Sequence, residues 1–180
     1  MSLLDYVYHG RLPRHQVAFA YAVTPALANE AVLRHDCDPV AAQLLCRALN
    51  AGALCMHRIH RNDRLNLHWI YRGTLRNVLV DLRGDGRIRG LINPPHLQEE
   101  TQTLSALYGE ESGQLKCVHS RGRHTVSSGT VPCDLQNVTA DLEAYFAMSE
   151  QVETALNVMV GFDPNPARPV RLCQGMLLQA

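Results

Sequence analysis

A change of hydrophobic period near residue 60 constrains this chain more than any other feature. Before it, the apolar residues Val40, Leu44, Leu45, Ala48, Leu49 and Leu54 recur at helical spacing to about Met56. After it, Leu65, Leu67, Trp69 and Tyr71 occupy every second position, the period of a strand with one strongly apolar face. A core must therefore be shared between one long helix and alternating strands. Asp38-Pro39 opens the long helix with a capping acid and a proline whose missing N–H is harmless in the first turn. Thr24-Pro25 repeats that start signal for a shorter helix running to about Arg34, with Thr24 as its cap. Val17 to Val23, with bulky residues at alternate positions, reads as a buried strand ahead of it.

The rest of the chain is built mostly of hairpins. Asn77 to Leu82 and Arg87 to Ile92 flank Arg83-Gly84-Asp85-Gly86, and Asp-Gly between alternating segments is a strong hairpin signal. Asn93-Pro94-Pro95 ends that meander, and Gln98 to Leu107 is expected to form a short helix. Gln114 to Ser120 and His124 to Val131 make a second hairpin about Arg121-Gly122. A helix over about Asn137 to Val152 follows, then a strand from Thr154 to Phe162. A proline-rich loop and a closing strand from Val170 to Leu178 complete the chain. Strands and helices mix without strict βαβ alternation, which predicts an α+β fold: a largely antiparallel sheet of hairpins and meander with packed helices. Nothing marks a linker, so residues 1–180 are expected to form one domain.

Seventeen Lys+Arg balance seventeen Asp+Glu across 180 residues. A net charge of zero argues against nucleic acid or a membrane surface as partner. No apolar run approaches the roughly 18 residues of a membrane span, and Met1 to Asp5 lack the regions of a signal peptide, so a cytoplasmic protein is expected. Lys116 is the only lysine, a bias that genome composition accounts for and that carries no function. Cys37, Cys46, Cys55, Cys117, Cys133 and Cys173 include no C-x-C or C-x-x-C pair, so no zinc site and no other cofactor is expected. His57 and His60 lie three apart without a third ligand nearby in sequence. Cys46 and Cys55, nine residues apart, face opposite sides of a helix.

Motifs for catalysis are missing. Gly84-x-Gly86 precedes a strand where a phosphate cradle needs a helix, and no G-x-S-x-G, P-loop or H-E-x-x-H occurs. Asp141 and Glu143 point to different helix faces and read as solvated groups. Asn137-Val138-Thr139 matches a glycosylation sequon without meaning in the cytoplasm. Arg87 and Arg89 alternate onto one strand face beside Arg83, a solvated face sooner than a phosphate-binding patch. The apolar face of Leu67, Trp69 and Tyr71 is either core or a surface for apolar partners.

The C-terminal third carries a family resemblance. Asp141-Leu142-Glu143-Ala144-Tyr145-Phe146-Ala147-Met148-Ser149-Glu150-Gln151 resembles the L-E-x-Y-F-x-x-S-E-Q helix of the heat-shock protein 33 family, redox-regulated 33 kDa chaperonins. Gly175-Met176-Leu177-Leu178-Gln179 is similar to its G-G-M-L-L-Q strand, with Gln174 in place of the first glycine. Ile88-Arg89-Gly90-Leu91 resembles its M-R-G-V strand and Ser128-Gly129-Thr130-Val131 its Q-G-V-V strand, so that the likeness runs from Asp5 to Gln179. The family's G-D-G turn after the first middle strand corresponds to Tyr71-Arg72-Gly73, and Gly84-Asp85-Gly86 falls one turn later.

The resemblance implies an ATP-independent holdase that binds unfolded client proteins, acts without catalytic residues, and forms a homodimer. Family members continue past the M-L-L-Q strand into a zinc domain whose C-x-C and C-x-x-C thiolates form the redox switch. That pattern is absent here, so activity without redox gating is expected, with Leu67, Trp69 and Tyr71 as candidate client-binding residues. A paralogue that keeps the fold as a scaffold, and a thiol enzyme with one activated cysteine, are the alternative expectations.

Overall fold

The protein is described from a computed structural model that covers residues 4–97 and 103–180. The fold is α+β, as expected, with its antiparallel strands divided between two sheets. The first has four strands in the order β1-β2-β9-β8: β1 (Tyr6–Leu12), β2 (Val17–Val23), β8 (Thr154–Phe162) and β9 (Val170–Gln179). The second is β5-β4-β3-β6-β7: β3 (Asp63–Ile70), β4 (Asn77–Arg83), β5 (Ile88–Asn93), β6 (Gly113–Arg121) and β7 (His124–Cys133). Strand β1 was not expected, because Tyr6-Val7-Tyr8-His9-Gly10-Arg11-Leu12 has no buried face at either period. It exists as an edge strand, paired to β2 in full register.

Helices α1 (Pro25–His35), α2 (Pro39–Leu54) and α4 (Val138–Ser149) match the expected positions. Helix α4 stops three residues short of the expected end, and the short helix is only α3 (Leu104–Tyr108); residues 98–102 of its expected span lie outside the described residues. The caps are partly as expected. Asp38 accepts from the Ala41 amide at 2.7 Å, and Asn137, the sequon asparagine, accepts from the Thr139 and Ala140 amides. Thr24 makes no capping bond. The α1 N-terminus is held instead by Asp5, which accepts from the Ala26 and Leu27 amides at 2.8 and 2.7 Å.

Helix α2 lies between the two sheets, on β4 and β5 at one side and on β2, β8 and β9 at the other. That placement explains a composition apolar on all sides. The stretch Pro39–Arg58 has the length and mean hydropathy, 1.2, to cross a membrane by those measures alone, which the expectation from the sequence overlooked; 72% of it is buried between the sheets. Small residues let the layers approach. A Cβ on Gly52 would stand 2.7 Å from Val80 Cγ1, and one on Gly175 would stand 2.3 Å from Asn50 Oδ1. Cys46 and Cys55 do face opposite ways. Cys46 joins Cys173, Val32 and Val170 in a small cluster under α1, whereas Cys55, in the 3-10 turn Cys55–Arg58, joins the main core.

The Asp-Gly hairpin forms as expected between β4 and β5, with Gly86 at φ +93°. Arg87 precedes β5 and pairs with Asp85; Arg89 and Arg64 both pair with the buried Asp81. Arg87 and Arg89 of that hairpin thus each sit against a carboxylate.

Candidate functional site

Leu67, Trp69 and Tyr71 do not form a surface. They are 1, 0 and 3% exposed, because α2 and its neighbours cover the face of the second sheet on which they stand. Tyr71 lies just past β3 and donates from its hydroxyl to Asp141 Oδ2 at 2.7 Å. Asp141, read from sequence as solvated, is fully buried: it also accepts from the Leu135 amide at 3.2 Å, and burial raises its carboxyl above the ordinary range. Among the residues of the α4 motif, Tyr145, Phe146, Ser149 and Glu150 line a cavity of about 420 Å³, and Leu67 belongs to its wall.

The uncovered apolar face is on the other sheet. In β2 the inward residues are Ala20 and Ala22, both fully buried, and the bulky Phe19, Tyr21 and Val23 point outward, half-buried. The strand is thus buried on its alanine face alone, where α2 packs against it. Register extends the outward face across the sheet. Tyr8 pairs with Tyr21, Tyr21 with Met176, and Met176 with Asn157. One row over, Tyr6, Val23, Gln174 and Met159 align; on the other side, Gly10, Phe19, Leu178 and Ala155 do so.

No position in these three rows carries a charge. Tyr8, Met159 and Met176 are 64, 56 and 47% exposed. The Tyr6 and Tyr8 rings stand 5.2 Å apart at a tilt, and Tyr21 donates to Gln174 Oε1 at 3.1 Å. Gly10 is functional in this packing, since a Cβ there would come within 2.8 Å of the Phe19 ring that lies across β1. A flat, uncharged surface of tyrosine and methionine can adapt to varied apolar side chains, with thioethers that reshape and hydroxyls that keep it wettable. Sequence reasoning missed it, although its signal was present: M-L-L at 176–178 and Y-x-Y at 6–8 each place large apolar groups two apart.

None of the six thiols is both lowered and exposed. Burial pushes Cys37 up to about 11 and Cys55 up to about 12. Cys173 is lowered by the Cys46 thiol and the Thr24 hydroxyl, yet both cysteines of that pair are fully buried. Among the described residues no three His, Cys, Asp or Glu side chains converge as metal ligands.

An open apolar sheet face lies opposite a closed α/β core, with no assembled catalytic constellation among the described residues. Comparison with known proteins places the chain. The sequence model described as "Hsp33 protein" matches residues 5–180, and the chain belongs to that family. It is 29% identical to a 33 kDa chaperonin of Geobacillus sp. (strain WCH70), covering 97% of this chain and 60% of the relative. It is 30% identical to a 33 kDa chaperonin of Clostridium botulinum (strain Langeland), over 91% and 56% respectively. The crystal structure of the 33 kDa chaperonin (heat shock protein 33 homolog) from Thermotoga maritima superposes with a TM-score of 0.84 at 26% identity, covering 96% of this chain and 60% of that one. The chain thus spans about 60% of the length of these relatives.

Proposed function

We propose that this chain is an ATP-independent holdase that captures unfolding proteins on the outer face of the β1-β2-β9-β8 sheet. One observation carries the reading: that face presents exposed tyrosine and methionine side chains with no charge among them, whereas the other large apolar face is sealed by α2. Each 100 Å² of apolar surface buried against a client contributes on the order of 2.5 kcal/mol before ordering costs, so a few engaged side chains suffice for transient capture. The names of the relatives support a chaperone. Activity here needs no oxidative trigger from this chain's own thiols, and a homodimer in the cytoplasm is its working form; sedimentation velocity tests the dimer.

Light scattering from a thermally unfolding client, without nucleotide and under reducing conditions, tests the function. Suppression at near-stoichiometric amounts is expected. Unchanged aggregation overturns the reading and favours a scaffold that has kept the fold alone.

A further inference from the structure

A second feature lies at the end of the first sheet, on its inner side. There β1 carries His9 and Arg11 on one face, and in register these oppose Ala20 and Ala18 of β2. Ala18 pairs in turn with Gln179 of β9. The small alanine leaves a gap between Arg11 and Gln179, and the 3-10 turn Cys55–Arg58 roofs it with His57 and Arg58. The result is a recess of about 340 Å³ lined by His9, Gly10, Arg11, Ala18, His57, Arg58 and Gln179.

We propose that this recess is a binding site for a small oxyanion, a phosphate or carboxylate group, held by Arg11 and Arg58 with His9 and His57. Its lining holds four groups that are or can become cationic and not one carboxylate. Its two arginines differ: Arg58, like Arg34, Arg64, Arg87, Arg89 and Arg121, sits against an acid, and that acid lies outside the recess lining. Among the described residues, Arg11 has no ion-pair partner. Arg58 is pre-positioned: it donates to Gln179 Oε1 at 3.0 Å, pairs with Glu150, and lies 4.8 Å over the Phe146 ring. His57 is fixed as well, since its Nδ1–H donates to the Leu54 carbonyl at 2.8 Å and its ring stands 6.2 Å from that of His9. Arg58 and His57, held by these other contacts, need little reorganisation when an anion arrives.

The cluster links binding to pH. Burial, with Arg58 and His9 as neighbours, holds His57 below its ordinary value of 6.5. The charged groups facing it are Arg58 on its own turn, His9 and Arg11 on β1, and Glu150, which reaches this site only through Arg58; Gln179 on β9 is neutral. An anion reverses the repulsion and favours the imidazolium, so binding tightens as pH falls through the histidine range.

Inorganic phosphate is the probe, titrated into the full chain at constant ionic strength set with chloride and followed by the ring resonances of His9 and His57. A saturable shift at one site is expected, and sulfate, which unlike phosphate keeps its charge over this range, should bind about tenfold more tightly at about pH 5.5 than at about pH 7.5. Arg11→Gln, an exposed change, should weaken it about tenfold, whereas Arg34→Gln should not. His57→Gln should reduce the pH dependence. Acetate in place of phosphate separates the two oxyanions: competition identifies carboxylates as ligands too, and its absence restricts the site to phosphate. Shifts that do not saturate, or equal affinity in the Arg11 variant, overturn the proposal.

Discussion

Tyr71 shows how residues that look alike in sequence acquire opposite roles. Its ring meets Tyr108 edge-on at 4.8 Å and its hydroxyl satisfies Asp141, so it supports a buried carboxyl. Tyr71→Phe removes a donor from that carboxyl while keeping the ring; urea unfolding should register a loss of about 1–3 kcal/mol. Asp63 behaves in the reverse sense to Asp141. Arg121 and His119 bond its two oxygens, at 2.7 and 2.8 Å, and hold its carboxyl well below the ordinary 3.8. A depressed folded pKa contributes stability that is present above the unfolded value and lost as pH falls below it. Asp63→Asn should therefore be less stable than the parent at neutral pH, with the gap closing in acid; denaturant curves at about pH 7 and about pH 3 check this. The thiols give a third test. Cys37 is the only one that is not buried, and with its thiol at about 11 it should alkylate slowly in the native state. The other five should stay unlabelled until denaturant is added, and quantitative mass spectrometry would reveal any fast-labelling cysteine that contradicts this.

At the scale of elements, close approach decides what periodicity leaves open. Gly175 sits where β9 crosses α2, with its Cβ position 2.3 Å from Asn50 Oδ1 and 2.7 Å from the Asn157 carbonyl. Gly175→Ala must push helix and strand apart, and thermal unfolding should show a destabilisation of about 1–3 kcal/mol. The sequence announced most of these elements: Asp38-Pro39, Asp85-Gly86 and Gly122 mark a helix start and two turns, and the Leu65–Tyr71 alternation marks β3. Which face of each strand α2 would cover was not written locally. Leu67 and Trp69 alternate just as Phe19 and Tyr21 do, yet the first pair is core and the second half-buried on an open face. The difference arises because α2 meets β2 across alanines and meets β4 across valines and leucine, a packing choice made between segments far apart in sequence. Strand β1 escaped notice for a related reason: its alternating Tyr6 and Tyr8 face outward, and it is stabilised by pairing to β2. Asp141 was misread because its partners, Tyr71 and the Leu135 amide, come from other parts of the fold.

For the whole molecule, the decisive property is that its two apolar sheet faces have been separated into one that holds the fold together and one that faces outward. The separation predicts that stability and client capture can be broken independently. Trp69 is fully buried in the main core, and Trp69→Ala should cost about 3–5 kcal/mol, enough to unfold much of the population. Tyr8 and Met176 sit in one row of the open face, on either side of Tyr21, and each is about half exposed or more. Charging them in a Tyr8→Lys/Met176→Lys double variant removes no buried contact of the core. It does place two desolvation-averse ammonium groups where a client's apolar side chains would dock. The melting temperature should move by only a few degrees, since exposed substitutions of this kind usually change stability by about 0.5 kcal/mol or less each. Suppression of client aggregation should fall several-fold in the same preparation. A variant that stays folded and protects clients as well as the parent would remove the sheet face from the mechanism.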